Sequence, residues 1–147
     1  MGEPRSIATF CSTRFQLPAD GVVAATDALV KWLVEELRHT TSFRVHDADD
    51  EDWGALVRVG HDRAQYQLNF AVDDGSPPGW MVEVQDPPRL FKSILARQDP
   101  AVYGRLIEAV HTLLSSVEGT RDLRWHRGSA FGRGDRSSAA TVPDPVA

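Results

Sequence analysis

The sequence predicts an α+β fold: a two-layer sandwich with a mainly antiparallel sheet, two long helices packed on one face, and the order β-α-β-β-β-α-α-β along the chain. Residues 53–85 read as three consecutive strands, because Tyr66, Leu68, Phe70 and Val72 alternate with Gln65, Gln67, Asn69 and Ala71. That period of two sorts side chains onto opposite faces of a sheet. The stretches from Val22 to Leu37 and from Val102 to Val117 instead repeat apolar residues at spacings of three and four, the stripe of a helix lying on a sheet. The turn Gly60-His61-Asp62-Arg63 between two of the strands reads as a hairpin.

The first strand is expected over Ile7 to Leu17, rich in β-branched and aromatic residues, until Pro18 interrupts it. Asp20 is the expected N-cap of the first helix, whose stripe is Val22, Thr26, Leu29, Val30, Leu33 and Leu37. Lys31, Glu35, Glu36 and Arg38 fall mainly away from it, and Thr40, Thr41 and Ser42 make a polar break. Phe43 to Val45 adds a short extended piece before the acidic loop His46 to Asp52. Trp53 and Gly54 turn the chain into the sheet, with the indole expected as a lid on the core.

In the flanking strands, Val57 and Val59 alternate with Leu56, Arg58 and Gly60, and Trp80, Val82 and Val84 alternate with Met81, Glu83 and Gln85. Pro87 and Pro88 stop the sheet, since proline lacks the N–H a ladder needs. Arg89 to Arg97 reads as a short helix with Leu90, Phe91, Ile94 and Leu95 on one side. Asp99 followed by Pro100 is a strong helix start, Gly119 a stop, and Asp122 to His126 a last short strand. From Gly128 onward Gly, Ser, Ala, Pro and charge dominate, which predicts disorder. The expected organisation is one domain over residues 1–127 and a disordered tail over 128–147.

At 147 residues, 41% hydrophobic and 25% charged, the chain has the composition of an ordinary globular domain. The single Cys11 cannot close an intrachain disulfide, and no basic start with a long apolar run marks a secretory signal. A cytoplasmic location without membrane contact is the expectation. Fourteen Arg against two Lys suggests a GC-rich, bacterial coding source. A net charge of −5 argues against a nucleic-acid binder, despite five Arg against three Asp in residues 121–147. RNA-recognition sheets also need stacking aromatics on the solvent face, whereas Tyr66, Phe70 and Trp80 fall on the apolar face.

No metal, cofactor or catalytic residue is assigned. Aligning the acidic loop with a calcium loop from Asp47 puts Asp52 where glycine is required and Arg58 where a bidentate Glu is required. A solvated connector or a negative patch for a basic partner fits it better. The five histidines lack any pair at zinc-ligand spacing. Cys11 has only Arg14 nearby as an electropositive neighbour, and no nucleophile elbow, P-loop or dinucleotide fingerprint occurs. What stands out is the polar face of the sheet, with Arg58, Gln67, Asn69, Glu83 and Gln85 as its members. Amide and charged side chains of this kind give specificity at moderate affinity.

The expectation is therefore a small, soluble, non-enzymatic domain that binds another protein through this face. It is chaperone-like or immunity-like by class analogy alone. The alternative is a small-molecule binder or minor enzyme with a pocket between the sheet and the helix 89–97, using Arg58, Arg89 and Glu83. A homodimer through an edge strand is a third option.

Overall fold

The computed structural model describes residues 3–18, 20–75, 77–86 and 99–145. Along the chain run β1 (Arg5–Cys11), α1 (Val22–Thr40), β2 (Arg44–Val45), β3 (Asp49–Glu51), β4 (Gly54–His61), β5 (Ala64–Asp73), β6 (Gly79–Gln85), α2 (Pro100–Ser116), β7 (Arg121–Arg127) and α3 (Gly128–Gly132). Among the described residues the strands form one seven-stranded sheet in the order β2-β4-β5-β6-β1-β7, with β3 paired to β4 off this path. Every pairing is antiparallel. β1 thus lies between β6 and β7, joining the first and last strands of the chain.

The alternation in β4, β5 and β6 becomes packing. Val57 faces Leu68, which faces Val84, and Phe70 faces both Ala55 and Val82. These residues share one buried cluster with Leu29, Leu33 and Leu37 of α1 and Leu106, Val110 and Leu114 of α2. Asp99 caps α2 as the sequence predicts, its carboxylate accepting from the Ala101 and Val102 amides, with Pro100 opening the helix. Tyr103 of α2 stacks on Tyr66 at 5.5 Å and donates its hydroxyl to the Val84 carbonyl. Desolvation is the main reason both phenols are pushed up to about 12.

Several local expectations differ. β1 ends at Cys11 rather than Leu17, because Ser12 turns the chain: its Oγ accepts from the Arg14 and Phe15 amides and donates to the Glu118 carbonyl. Phe15 then enters the core, its carbonyl held by the Trp80 indole N–H at 2.6 Å. Gly21, not Asp20, is the N-cap of α1, at φ 78 and without a side-chain cap. Part of the acidic loop is a strand, β3. Trp53 is 49% exposed and so is no core lid. The helix expected over Arg89 to Arg97 lies outside the described residues.

The largest difference follows Gly128. Where composition predicts disorder, the structure places α3 and a return segment that is tied back onto the sheet. Trp125 and Ala140 exchange backbone hydrogen bonds at 2.7 and 3.0 Å, extending β7's outer edge by one bridge. Asp144 accepts from the Arg5 guanidinium at 2.8 Å and from Arg127 at 3.2 Å. Arg127 also donates to the Glu3 carbonyl. Charge-assisted bonds anchor this segment rather than an apolar stripe, which is why hydrophobic periodicity gives no sign of it.

Candidate functional site

On the sheet face away from the α1 and α2 cluster, the β5–β6 register sets Gln67 opposite Gln85 and Asn69 opposite Glu83. Side chains at directly opposed antiparallel positions are within reach of one another, and here they join. Gln67 Nε2 donates to Gln85 Oε1 at 2.6 Å and to Asn69 Oδ1 at 3.1 Å. Asn69 Nδ2 donates to Glu83 Oε1 at 2.9 Å and to Gln85 Oε1 at 3.1 Å. Asn69, at the centre, is only 8% exposed. Among the described residues, Gln67 Oε1, the Gln85 amide nitrogen and the second Glu83 oxygen have no protein partner in these bonds.

The structure therefore brings together four of the five residues the sequence singles out. The fifth, Arg58, faces Gln67 in the ladder, but its guanidinium turns the other way to Asp49 of β3 at 2.5 Å. Both side chains of that pair are more than half exposed, and such surface pairs hold little energy. Arg58 is a rim charge, not a member of the network.

Beside the network the same face continues into a cluster that sequence reasoning missed. Ile7 of β1 pairs with Glu83 and His126, and Thr9 pairs with Met81 and Arg124, so β1, β6 and β7 share this surface. Thr9 Oγ1 and His126 Nε2 share a hydrogen bond at 2.8 Å. Asp73, the last residue of β5, is held by a two-pronged Arg136 guanidinium at 2.9 and 2.6 Å. Arg136 also lies over the Phe131 ring, which in turn packs on His126 at 5.1 Å.

Asp73 is 7% and His126 3% exposed. The hydrogen bond from Arg136 leads in holding the Asp73 carboxyl below the usual carboxylate range. His126 is held below its ordinary value chiefly by burial, then by the Arg136 charge, with Asp73 opposing. Together with Arg124, Cys11 and Asp122 these groups line a cleft of about 370 Å³. The signal that points to Asp73 is the Gln67, Asn69, Ala71 alternation, which continues onto it beyond the residues singled out from the sequence. Thr9 and His126 have no such signal, because strand order decides that they meet.

The cleft offers hydroxyl, imidazole, carboxylate and guanidinium groups as hydrogen-bond donors and acceptors. The Cys11 thiol donates to the Pro78 carbonyl at 3.6 Å. Among the described residues no group of three His, Cys, Asp or Glu side chains is placed to hold a metal ion, and no helix is long and apolar enough to cross a membrane. Comparison of the chain with protein-family models, with curated proteins and with solved structures finds no match.

Proposed function

We propose that this chain is a two-layer α+β sandwich that works, without catalysis, as a protein-binding module, using the open polar face of its sheet. The observation that carries the reading is the Gln67–Asn69–Glu83–Gln85 network. Its side chains hold each other in place before any partner arrives, so less rotamer freedom is lost on binding. The remaining amide and carboxylate groups offer donors and acceptors for register and specificity, with Arg58 as a steering charge at the rim. A bacterial cytoplasm is the compartment this reading assumes.

The test is a tagged pull-down from the native host comparing wild type with the triple variant Arg58→Glu, Gln67→Ala, Glu83→Arg, after circular dichroism shows the variant folded. A partner retained by wild type and lost by the variant is expected. The same partner retained by both, or none by either, sinks the reading.

The cleft beside the network favours a second reading, a small-molecule binder, because about 370 Å³ falls at the low end of the volumes that ligand sites occupy. The polar groups would be Thr9, Asp73, Arg124 and Arg136 rather than Arg89, which lies outside the described residues. A thermal-shift screen with common metabolites tests it, and a flat response across the screen counts against it.

A further inference from the structure

The opposite side of the sheet carries an exposed apolar cluster at the start of α1. Val23 is 72% and Trp53 49% exposed, with Val22 and Val72 beside them. The four line one cleft of about 160 Å³, close to the cavity size of about 150 Å³ that accepts a benzene ring. Three carboxylates, Asp27, Asp50 and Asp52, stand in the same lining.

The acidic groups are not arranged alike. Asp47 and Asp49 of the same loop pair with Arg38 and Arg58, whereas Asp27, Asp50 and Asp52 have no ion-pair partner among the described residues. The split follows the strand period. Asp49 pairs in register with Leu56 on the polar face, and Asp50 with Ala55 on the core face, so Asp50 is delivered to the apolar cleft while Asp49 is delivered to Arg58. Exposed large apolar side chains collected in a concavity mark interaction surfaces, and a rim of one charge sign selects a partner of the other.

We infer that the Val22–Val23–Trp53–Val72 cleft docks a basic amphipathic segment of a partner protein, which seats one aliphatic or aromatic side chain in the cleft between lysines or arginines that meet Asp27, Asp50 and Asp52. A second copy meeting the first cleft to cleft is disfavoured as the occupant, because it would set the three carboxylates of each against those of the other. The surface is separate from the polar network, so either can fail without the other.

The experiment titrates the full chain with three labelled peptides and follows anisotropy: a leucine–lysine amphipathic helix, the same sequence with glutamate for lysine, and the same with serine for leucine. Binding of the leucine–lysine peptide alone is expected, with a dissociation constant on the order of tens of micromolar that weakens as salt is raised. The Val23→Ser, Trp53→Ser variant and, independently, the Asp50→Asn, Asp52→Asn variant should each weaken it about tenfold. A control variant Glu35→Gln, Glu108→Gln, which removes exposed acids elsewhere, should leave it unchanged.

Equal binding of the glutamate or serine peptide overturns the inference. So does a control variant that loses as much affinity as the cleft variants, which would make the binding unspecific charge attraction. A Trp53-dependent dimer seen by light scattering would identify a second copy as the occupant and overturn it likewise.

Discussion

At the scale of single residues, His126 sets an expectation about pH. Its ring is buried, its Nε2 shares a hydrogen bond with Thr9, and its Nδ1 has no partner among the described residues. An orphaned N–H is costlier than an orphaned lone pair, so the fitting tautomer leaves Nδ1 bare and donates Nε2–H to Thr9. Protonation would place a charge in a buried site and beside the Arg136 guanidinium, so burial first and that charge second depress the folded-state value, with Asp73 opposing. The unfolded chain takes up the proton near the ordinary value of about 6.5, where the folded chain does not. The unfolded state therefore binds more protons in this window, and His126's contribution is fully present above about pH 6.5 and lost as pH falls toward the folded value, at about 1.4 kcal/mol per pH unit. Asp73 adds a loss of the same sign, but only once the pH nears the carboxylate range of about 4. Urea unfolding between pH 7.5 and 5 should show wild type weakening while His126→Gln is flatter. Parallel curves would mean that another of the five histidines carries the dependence.

At the scale of elements, the parts legible in the sequence are those with a repeating apolar period or a capping signal. β5 and β6 follow from alternation, and α2 follows from Asp99 and Pro100. Gln67, Asn69, Glu83 and Gln85 were identifiable as one face before their register was known. Less legible was whatever a single turn or a distant partner decides: the stop of β1 depends on the Ser12 hydroxyl, and Thr9 meets His126 only because β1 lies beside β7. Asp49 to Glu51 reads as a charged connector, yet it forms β3 because Gly54 allows the reversal into β4. Gly54 has φ +153, and a Cβ there would sit 1.8 Å from the Phe70 carbonyl oxygen. No rotamer relieves a clash with backbone. Gly54→Ala should therefore cost about 2–4 kcal/mol in chemical denaturation, and β3 should lose amide protection in hydrogen exchange before the rest of the sheet. A cost under about 0.5 kcal/mol, the usual range for a surface change, would show that the hairpin has room to shift.

At the scale of the whole molecule, the two sheet edges decide whether the chain associates with itself. Unpaired edge strands are templates for pairing, and this sheet blunts them by different means. On the β2 side the edge strand is two residues long. On the β7 side the edge is seven residues long, but the Trp125 amide and carbonyl are already occupied by Ala140. The segment bringing Ala140 there is anchored at Asp73 by Arg136 and at Arg5 and Arg127 by Asp144, so the β1–β7 side of the sheet and the C-terminal residues stabilise one another. A homodimer through β7 would have to displace that segment first. The 147-residue chain is thus expected to stay monomeric by light scattering at high micromolar concentration. A chain ending at Arg127 loses the strap, uncovers the Trp125 edge groups and the ring of His126, and should melt at lower temperature while self-associating in a concentration-dependent way. If the shortened chain remains monomeric with an unchanged melting temperature, residues 128–145 contribute nothing to the edge, and the mixture of arginine and aspartate in them is merely solvated.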